Sequence, residues 1–382
     1  MKNRELTTLE FKMFMDDDEL RELMLTAIQQ ARSQNPDRET NPVYDLESLY
    51  DFLDWSVKCM PWNVLKKHEF SNLYLNINQS INYFWFLFGQ KLDALKDKDY
   101  YLPTLEYHEP IASWIRDYAN AWGAFLETKE SWNEEYYQLQ FKDDIFGMKT
   151  GWYGNKNIWS TYNEFFSRHL IDPSVRPIGE AELVSPADSQ PDGYWKIDEF
   201  GYVKDDVRIK THKVYEIDNI LGEDSKYKRR FNGGTLTHTF LNVFDYHRYH
   251  FPIDGTIVEM KKIKGVNAVG GYTSYDPNLK LYVLDCDDTS WQIIETRDSV
   301  ILDTEYGLVA ILPIGMSQIC SCNFEPNLKV GDKVHKGDPL GYFLFGGSDI
   351  VMLFEKGIEF TPLFTPKKHL LMGENYANLK RK

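Results

Sequence analysis

The chain has 382 residues, 42% of them hydrophobic and 26% charged, a length and balance that exclude a disordered or fibrous protein and predict two domains. Its 43 basic against 58 acidic residues leave a net charge of −15, which excludes a broad phosphate-tracking surface and so a nucleic-acid partner. No run approaches the roughly 20 apolar residues of a spanning helix, so the expected location is cytoplasmic, with at most peripheral membrane contact.

The N-terminus (MKNRELTTLEFKMFMDDDEL) has charges where a signal peptide needs its apolar region. From Asp17 to Arg32, Leu20, Leu23, Met24, Ala27 and Ile28 recur at the i, i+3, i+4 spacing of an amphipathic helix. Leu46 to Met60 and Asn72 to Phe88 read the same way. Pro103 and Pro110 bracket a break before a further helix over Ala112 to Thr128. Many of the chain's aromatic residues fall in the first 165 positions, where they predict core packing. From about Glu180 the texture changes to short β-rich runs between Gly, Asn and Asp turns: Thr256–Met260, Leu279–Leu284, Trp291–Glu295, Ser299–Leu302 and Leu308–Ile314. The expected fold is therefore α+β, a helical N-terminal domain over 1–160 followed by a mostly β domain over 161–382.

Four cysteines, at 59, 286, 320 and 322, are too few for a disulfide framework. Cys320 and Cys322 lack the nearby Cys or His ligands that a metal would want, so buried thiols and no metal are expected. Basic clusters at Lys226 to Arg230 and Lys380 to Lys382 read as solvated surface. Val330 to Phe345 (VGDKVHKGDPLGYFLF) predicts a β-hairpin, with Gly331-Asp332 and Gly337-Asp338 at turns. Biotinyl and lipoyl carrier domains share such a hairpin but carry a modifiable lysine at its turn. This one leads instead into Phe345-Gly346-Gly347-Ser348-Asp349.

Three separated stretches carry chemistry: Ser185-Pro186-Ala187-Asp188, then Asp245-Tyr246-His247-Arg248-Tyr249-His250-Phe251-Pro252, then Gly346-Gly347-Ser348. Each alone also reads as a turn or loop. Together they supply a carboxylate, a base and a hydroxyl nucleophile, the groups that activate serine for acyl transfer. Two glycines before Ser348 let the backbone bend toward the preceding carbonyl. Sequence spacing does not bring these groups together in space.

The combination resembles the phosphatidylserine decarboxylases. The likeness runs from about Thr161 to Phe354 through Thr161-Tyr162-Asn163-Glu164-Phe165-Phe166-Ser167-Arg168, Arg176-Pro177-Ile178, Ser185-Pro186-Ala187-Asp188, Ile209-Lys210, Phe231-Asn232-Gly233-Gly234, the histidine block through Gly255, and Gly331-Asp332 to Gly347-Ser348. The resemblance implies a catalytic domain with a barrel-sandwich hairpin and self-cleavage between Gly347 and Ser348. It implies Ser348 as the nucleophile that is converted into a covalent pyruvoyl cofactor, His250 as its base, Asp188 as the carboxylate orienting that base, and His247 as the acid that reprotonates the product carbon. The pyruvoyl carbonyl would form a Schiff base with the substrate amine and draw electrons from its carboxylate bond.

The chain departs from the family's usual pattern in three places. Asp188 is followed by Ser189-Gln190-Pro191-Asp192-Gly193 instead of Gly, which reads as a longer loop. Asp349 stands where Thr or Ser is usual, and a carboxylate there opposes a nearby oxyanion. Gly315-Met316-Ser317 also replaces the usual Gly-Ala.

Trp122-Gly123-Ala124-Phe125-Leu126, Ser131 and Gly151-Trp152-Tyr153 resemble the N-terminal associated domain of a soluble branch that includes decarboxylases of free aromatic amino acids. The expected partner is thus an amino-acid-bearing substrate. Phosphatidylserine, converted to phosphatidylethanolamine, is favoured by the core motifs. A free L-amino acid is favoured by the acidic charge, the missing hydrophobic anchor and the N-terminal domain. A self-processing homologue without turnover, a plain serine hydrolase and a homodimeric state stay open.

Overall fold

The computed structural model describes residues 4–65, 70–98, 100–154, 158–204, 217–285, 294–316 and 321–381. Ile209-Lys210, Cys286, Cys320, Ser317 and the start of the strand expected at Trp291–Glu295 lie outside them.

The N-terminal part is helical: α1 (Arg4–Phe14), α2 (Asp18–Gln34), α3 (Leu46–Ser56), α4 (Leu73–Phe88), α5 (Ile111–Leu126), α6 (Glu134–Asp143) and α7 (Tyr162–Phe166). The helix starts are chemically marked. The Asp17 carboxylate accepts from Leu20 N–H at 3.0 Å, and Asp45 with Ser48 forms a reciprocal capping box on α3. α2 buries Leu20, Leu23, Met24, Ala27, Ile28 and Ala31, the face that its spacing predicts. The last turns of α4, Tyr83–Phe88, are apolar all round because they are enclosed. The helix packs on the paired strands Tyr272–Asp276 and Leu281–Asp285, where Gln79 both accepts from Tyr282 N–H and donates to Tyr282 O. One core runs from Phe11 through Trp114, Trp122 and Phe166 to Tyr246, Val269, Tyr282 and Phe345. The helices and the site region therefore share packing.

A short α8 (Ile217–Ile220) and sixteen strands lie in the rest of the described chain, among turns and loops. The strands are β1 (Leu183–Val184), β2 (Gln190–Ile197), β3 (Val203–Lys204), β4 (Thr235–Leu241), β5 (Arg248–His250), β6 (Gly255–Ile263), β7 (Tyr272–Asp276) and β8 (Leu281–Asp285). They continue with β9 (Arg297–Thr304), β10 (Gly307–Met316), β11 (Cys322–Phe324), β12 (Lys333–Val334), β13 (Pro339–Phe343), β14 (Gly347–Phe354), β15 (Ile358–Pro362) and β16 (Asn375–Arg381). The main antiparallel sheet has the order β12-β6-β9-β10-β14-β4-β2-β3, flanked by sheets β1-β16-β15 and β11-β13-β5 and by the β7-β8 pair. Among the described residues no barrel closes. β14 is covered on both faces: Ile350, Met352 and Phe354 enter one core, Val351 and Leu353 another. That is why its sequence is a continuous apolar run instead of an alternating one.

Two local expectations are corrected. Lys333–Val334 and Pro339–Phe343 do not pair with each other; β12 joins β6, whereas β13 joins β5 and β11. The turn between them bonds to the residue just after β5: Gly337 N–H donates to Phe251 O, and Phe251 N–H donates to Asp338 O. The stretch after Asp188 is not a loop either. Ser189 bridges Leu370, and β2 follows at once, absorbing Pro191 at an irregularity where its lost N–H costs little. Cys59 and Cys322 are buried.

Candidate active site

Ser348 is the second residue of β14, in the middle of the main sheet. Its backbone registers with Leu241, the last residue of β4, and with Gly315 near the end of β10. Of the two preceding glycines, Gly346 adopts φ 156° while Gly347 already belongs to the strand. The Ser348 side chain is fully buried, and its Oγ has no hydrogen-bond partner. A buried hydroxyl normally finds one, so an orphaned one marks an atom kept for chemistry or for an absent ligand.

The chain leaves β4 beside Ser348 and returns as β5, and the connection between them carries the histidines. Arg168, itself buried, donates to the Phe244 and Asp245 carbonyls at 3.1 Å and so fixes that connection. His247 is fully buried, and its Nδ1–H donates to Asp245 O at 2.8 Å, which leaves a lone pair on Nε2. That Nε2 is also without a partner. Burial, with the Arg168 charge, holds His247 well below the usual histidine range, so the ring is neutral. His247 O accepts from Phe343 N–H at 2.8 Å, tying it to the strand that leads into Gly346-Gly347-Ser348.

His250 is neutral as well. Its Nδ1–H donates to Gly337 O at 2.8 Å, and its Nε2 accepts from the Tyr246 hydroxyl at 3.1 Å. Burial lowers it to about 4.

Asp188 is placed in this neighbourhood, but not on a histidine. Its carboxylate faces Arg176, with Nη2–Oδ2 at 2.8 Å and Nε–Oδ1 at 3.3 Å, and also accepts from Met372 N–H at 2.8 Å. The buried pair brings two opposite charges into contact, and Arg176 also lies 3.8 Å from the Trp152 ring. The link to His250 runs through the backbone: His250 N–H donates to Pro186 O at 2.8 Å. Asp188, expected to orient His250, spends its hydrogen bonds on Arg176 and Met372 instead. The cause is Arg176, a stronger partner for a buried carboxylate than a neutral imidazole.

The structure therefore gathers Asp188, His247 and His250 around one connection and sets Ser348 at the strand end beside it. No hydrogen bond joins Ser348 to either histidine. The residues that sequence reasoning left without a role are Arg176, Tyr246 and Arg168. The quoted blocks contained all three, and their buried charge or hydroxyl beside a histidine motif was the available signal. The aromatic residues around Phe345 are a further omission. Phe345 meets Trp122, Tyr162 and Phe166 at ring-centroid distances of 5.6, 5.6 and 5.2 Å, so helices α5 and α7 hold the segment that precedes Ser348.

No group of three or more His, Cys, Asp or Glu side chains among the described residues is arranged to hold a metal. No helix among them is long and apolar enough to cross a membrane. Ser348 Oγ and His247 Nε2 are among the buried side-chain atoms without a hydrogen-bond partner, and a group built from Ser348 itself would fit there.

The sequence profile described as phosphatidylserine decarboxylase matches residues 162–378. The chain is 30% identical over 231 residues to a phosphatidylserine decarboxylase proenzyme of Polaromonas sp. strain JS666, covering 57% of this chain and 78% of that protein. It is 32% identical over 232 residues to a phosphatidylserine decarboxylase proenzyme of Fusobacterium nucleatum, covering 58% and 71%. It is 27% identical over 306 residues to an L-tryptophan decarboxylase of Psilocybe cubensis, covering 68% and 66%.

Proposed function

The chain belongs to the phosphatidylserine decarboxylase family, and on that premise we propose that it cuts itself between Gly347 and Ser348, turns Ser348 into a pyruvoyl group, and decarboxylates an α-amino acid substrate. The observation that carries this reading is the fully buried, unpartnered Ser348 Oγ at the start of a central strand, in register with the end of β4, from which the chain runs on to the two histidines.

Maturation needs no group from outside the chain except water. Ser348 Oγ attacks the Gly347 carbonyl carbon as its proton passes to a base, and the peptide nitrogen leaves to give an ester. Loss of the Ser348 Cα proton expels the Gly347 carboxylate, and hydrolysis of the residue left behind releases ammonia. Both His247 and His250 present an Nε2 lone pair at neutral pH, as a base must. We assign His250 to the Ser348 proton, relayed by the Tyr246 hydroxyl it already binds, and His247 to returning a proton to the product carbon. Asp188 and Arg176 act by holding Pro186, and through its carbonyl His250. The pyruvoyl group supplies the electron-withdrawing carbonyl that weakens the bond to the substrate carboxylate.

For the substrate we favour a free L-amino acid, aromatic in character. Residues 162–382 are about 58% of the chain, so a likeness that covers 68% of it, the one to the tryptophan decarboxylase, must extend into the helical part, whose rings pack against Phe345. Phosphatidylserine is the second reading, supported by the names of the two bacterial relatives.

Denaturing electrophoresis with intact mass on the wild type and on Ser348→Ala tests the first step. Expected are a 347-residue fragment and a 35-residue fragment with a blocked N-terminus from the wild type, and one whole chain from the variant. An uncut wild type sinks the proposal. Carbon dioxide release from L-tryptophan against phosphatidylserine in micelles then separates the substrates.

A further inference from the structure

Strand β14 carries a second buried side chain that the chemistry above does not use. Asp349 follows Ser348, and strand alternation turns its carboxylate to the opposite face of the sheet. It is fully buried there. Its Oδ2 lies 3.2 Å from His238 Nε2 on β4, and His238 Nδ1 lies 2.8 Å from Asp192 Oδ2 on β2. Asp192 pairs in turn with Lys367, which reaches the surface. Four side chains thus form a line of alternating charge from the sheet's centre to solvent. Burial works against a charge on His238, but Asp349 and Asp192 outweigh it and hold the ring up to about 10. Both ring nitrogens then carry a proton, and one lies near each carboxylate.

The line has a mechanical and an electrostatic consequence at the adjacent peptide bond. Attack on the Gly347 carbonyl puts negative charge on its oxygen, and an uncompensated anion one residue from Ser348 raises that barrier. The groups facing Asp349 are His238 from β4, Asp192 from β2, Lys367 from beyond β15, and Glu295 ahead of β9. Glu295 is itself pushed far up by burial and so stays uncharged. The cation in contact with Asp349 is His238.

We propose that His238, held between Asp349 and Asp192, is a positioning residue for cleavage at Gly347-Ser348: it neutralises Asp349 and pins the start of β14 so that Ser348 keeps its aim. The inference rests on the self-processing reading above. It also gives the unusual Asp349 a partner, since the histidine and the carboxylate act as a unit.

The experiment follows cleavage of freshly refolded full-length chain by intact mass, from pH 6 to 8, for the wild type, His238→Gln, Asp349→Asn and the double variant. His238→Gln leaves a buried anion unpaired, and its cleavage at pH 8 is expected to slow by roughly tenfold or more. Its rate should climb as pH falls, because the lone Asp349 takes up a proton and its charge disappears. The wild type and the double variant should lack that climb, and the double variant should cleave within about threefold of the wild type. Loss of packing alone would leave the pH profile unchanged. Equal rates for His238→Gln and the wild type overturn the inference, as does a double variant that folds and cleaves as slowly as His238→Gln. Should His238→Gln fail to fold, the Asp349→Asn and double variants decide, since both must cleave near the wild-type rate. A wild type that stays whole sinks the self-processing reading itself.

Discussion

Phe166 lies almost flat on the His247 ring, with centroids 3.9 Å apart and 27° between the planes, and it also meets Phe345 edge-on. One ring from α7 thus sets the plane of a site histidine and touches the segment leading to Ser348. Imidazole orientation is what such a histidine needs, because a lone pair turned away from its proton does no work.

Phe166→Ala should therefore do two things. Removing a fully buried ring costs about 3–5 kcal/mol, visible as a lower melting temperature. Cleavage should slow beyond what the stability loss explains, since His247 loses the surface that orients it. Normal cleavage in a folded variant would show that the His247 plane does not matter.

Tyr246→Phe removes one hydroxyl, the donor to His250 Nε2. The fold should survive with a loss of about 1–3 kcal/mol. Cleavage should fall by roughly tenfold or more if the hydroxyl relays the Ser348 proton. Cleavage at the wild-type rate would remove Tyr246 from the mechanism and leave His250 to act directly.

Arg176→Met strands the Asp188 carboxylate in a buried position. Breaking a buried pair from one side costs about 3–5 kcal/mol, read by chemical denaturation. Asp188→Asn should cost a similar amount, because it strands the guanidinium instead. Either variant at wild-type stability would mean that the pair is not closed in solution.

The pH dependence of stability should be limited at both ends by histidines of opposite habit. His250 is lowered to about 4 in the folded chain, so the unfolded chain binds its proton first, and stability is lost as pH falls from about 6.5 toward 4. His238 is raised to about 10, so its contribution is complete below about 6.5 and is lost as pH rises toward 10. Melting temperatures from pH 4 to 10 should show both limbs. In the His238→Gln, Asp349→Asn double variant the alkaline limb should shrink while the acid limb stays. An unchanged alkaline limb would assign it to other groups.

The helices were legible because their signals are local. Asp17 caps α2, and Leu20 to Ile28 repeat at helical spacing, so a short window holds the whole argument. β10 and β6 were legible from their apolar runs between turns, and the family's blocks named Asp188, His247, His250 and Ser348. What stayed hidden depends on partners distant in sequence. The arms of the 330–345 stretch carry proper turn residues, yet each pairs with a different strand because the intervening turn bonds to Phe251. Arg176 and Asp188 sit twelve residues apart with nothing in the spacing to pair them. His238 lies in Thr235–Leu241, which reads as an ordinary strand. Only the register of β4 against β2 and β14 brings it between two carboxylates.

The place of β14 has one more consequence. It is hydrogen-bonded to β10 on one side and to β4 on the other, and the 35 residues from Ser348 onward also supply β15 and β16, which complete the sheet on β1. A 35-residue peptide of three strands has too little core to fold alone. Hydrolysis of the bond before Ser348 would therefore yield two polypeptides by mass but one body by cooperativity, melting in a single transition. The smaller piece could be neither washed out nor swapped for a fresh copy without unfolding the larger one. A chain wired in this way has a single chance to make its reactive terminus, and its working lifetime is that of the sheet.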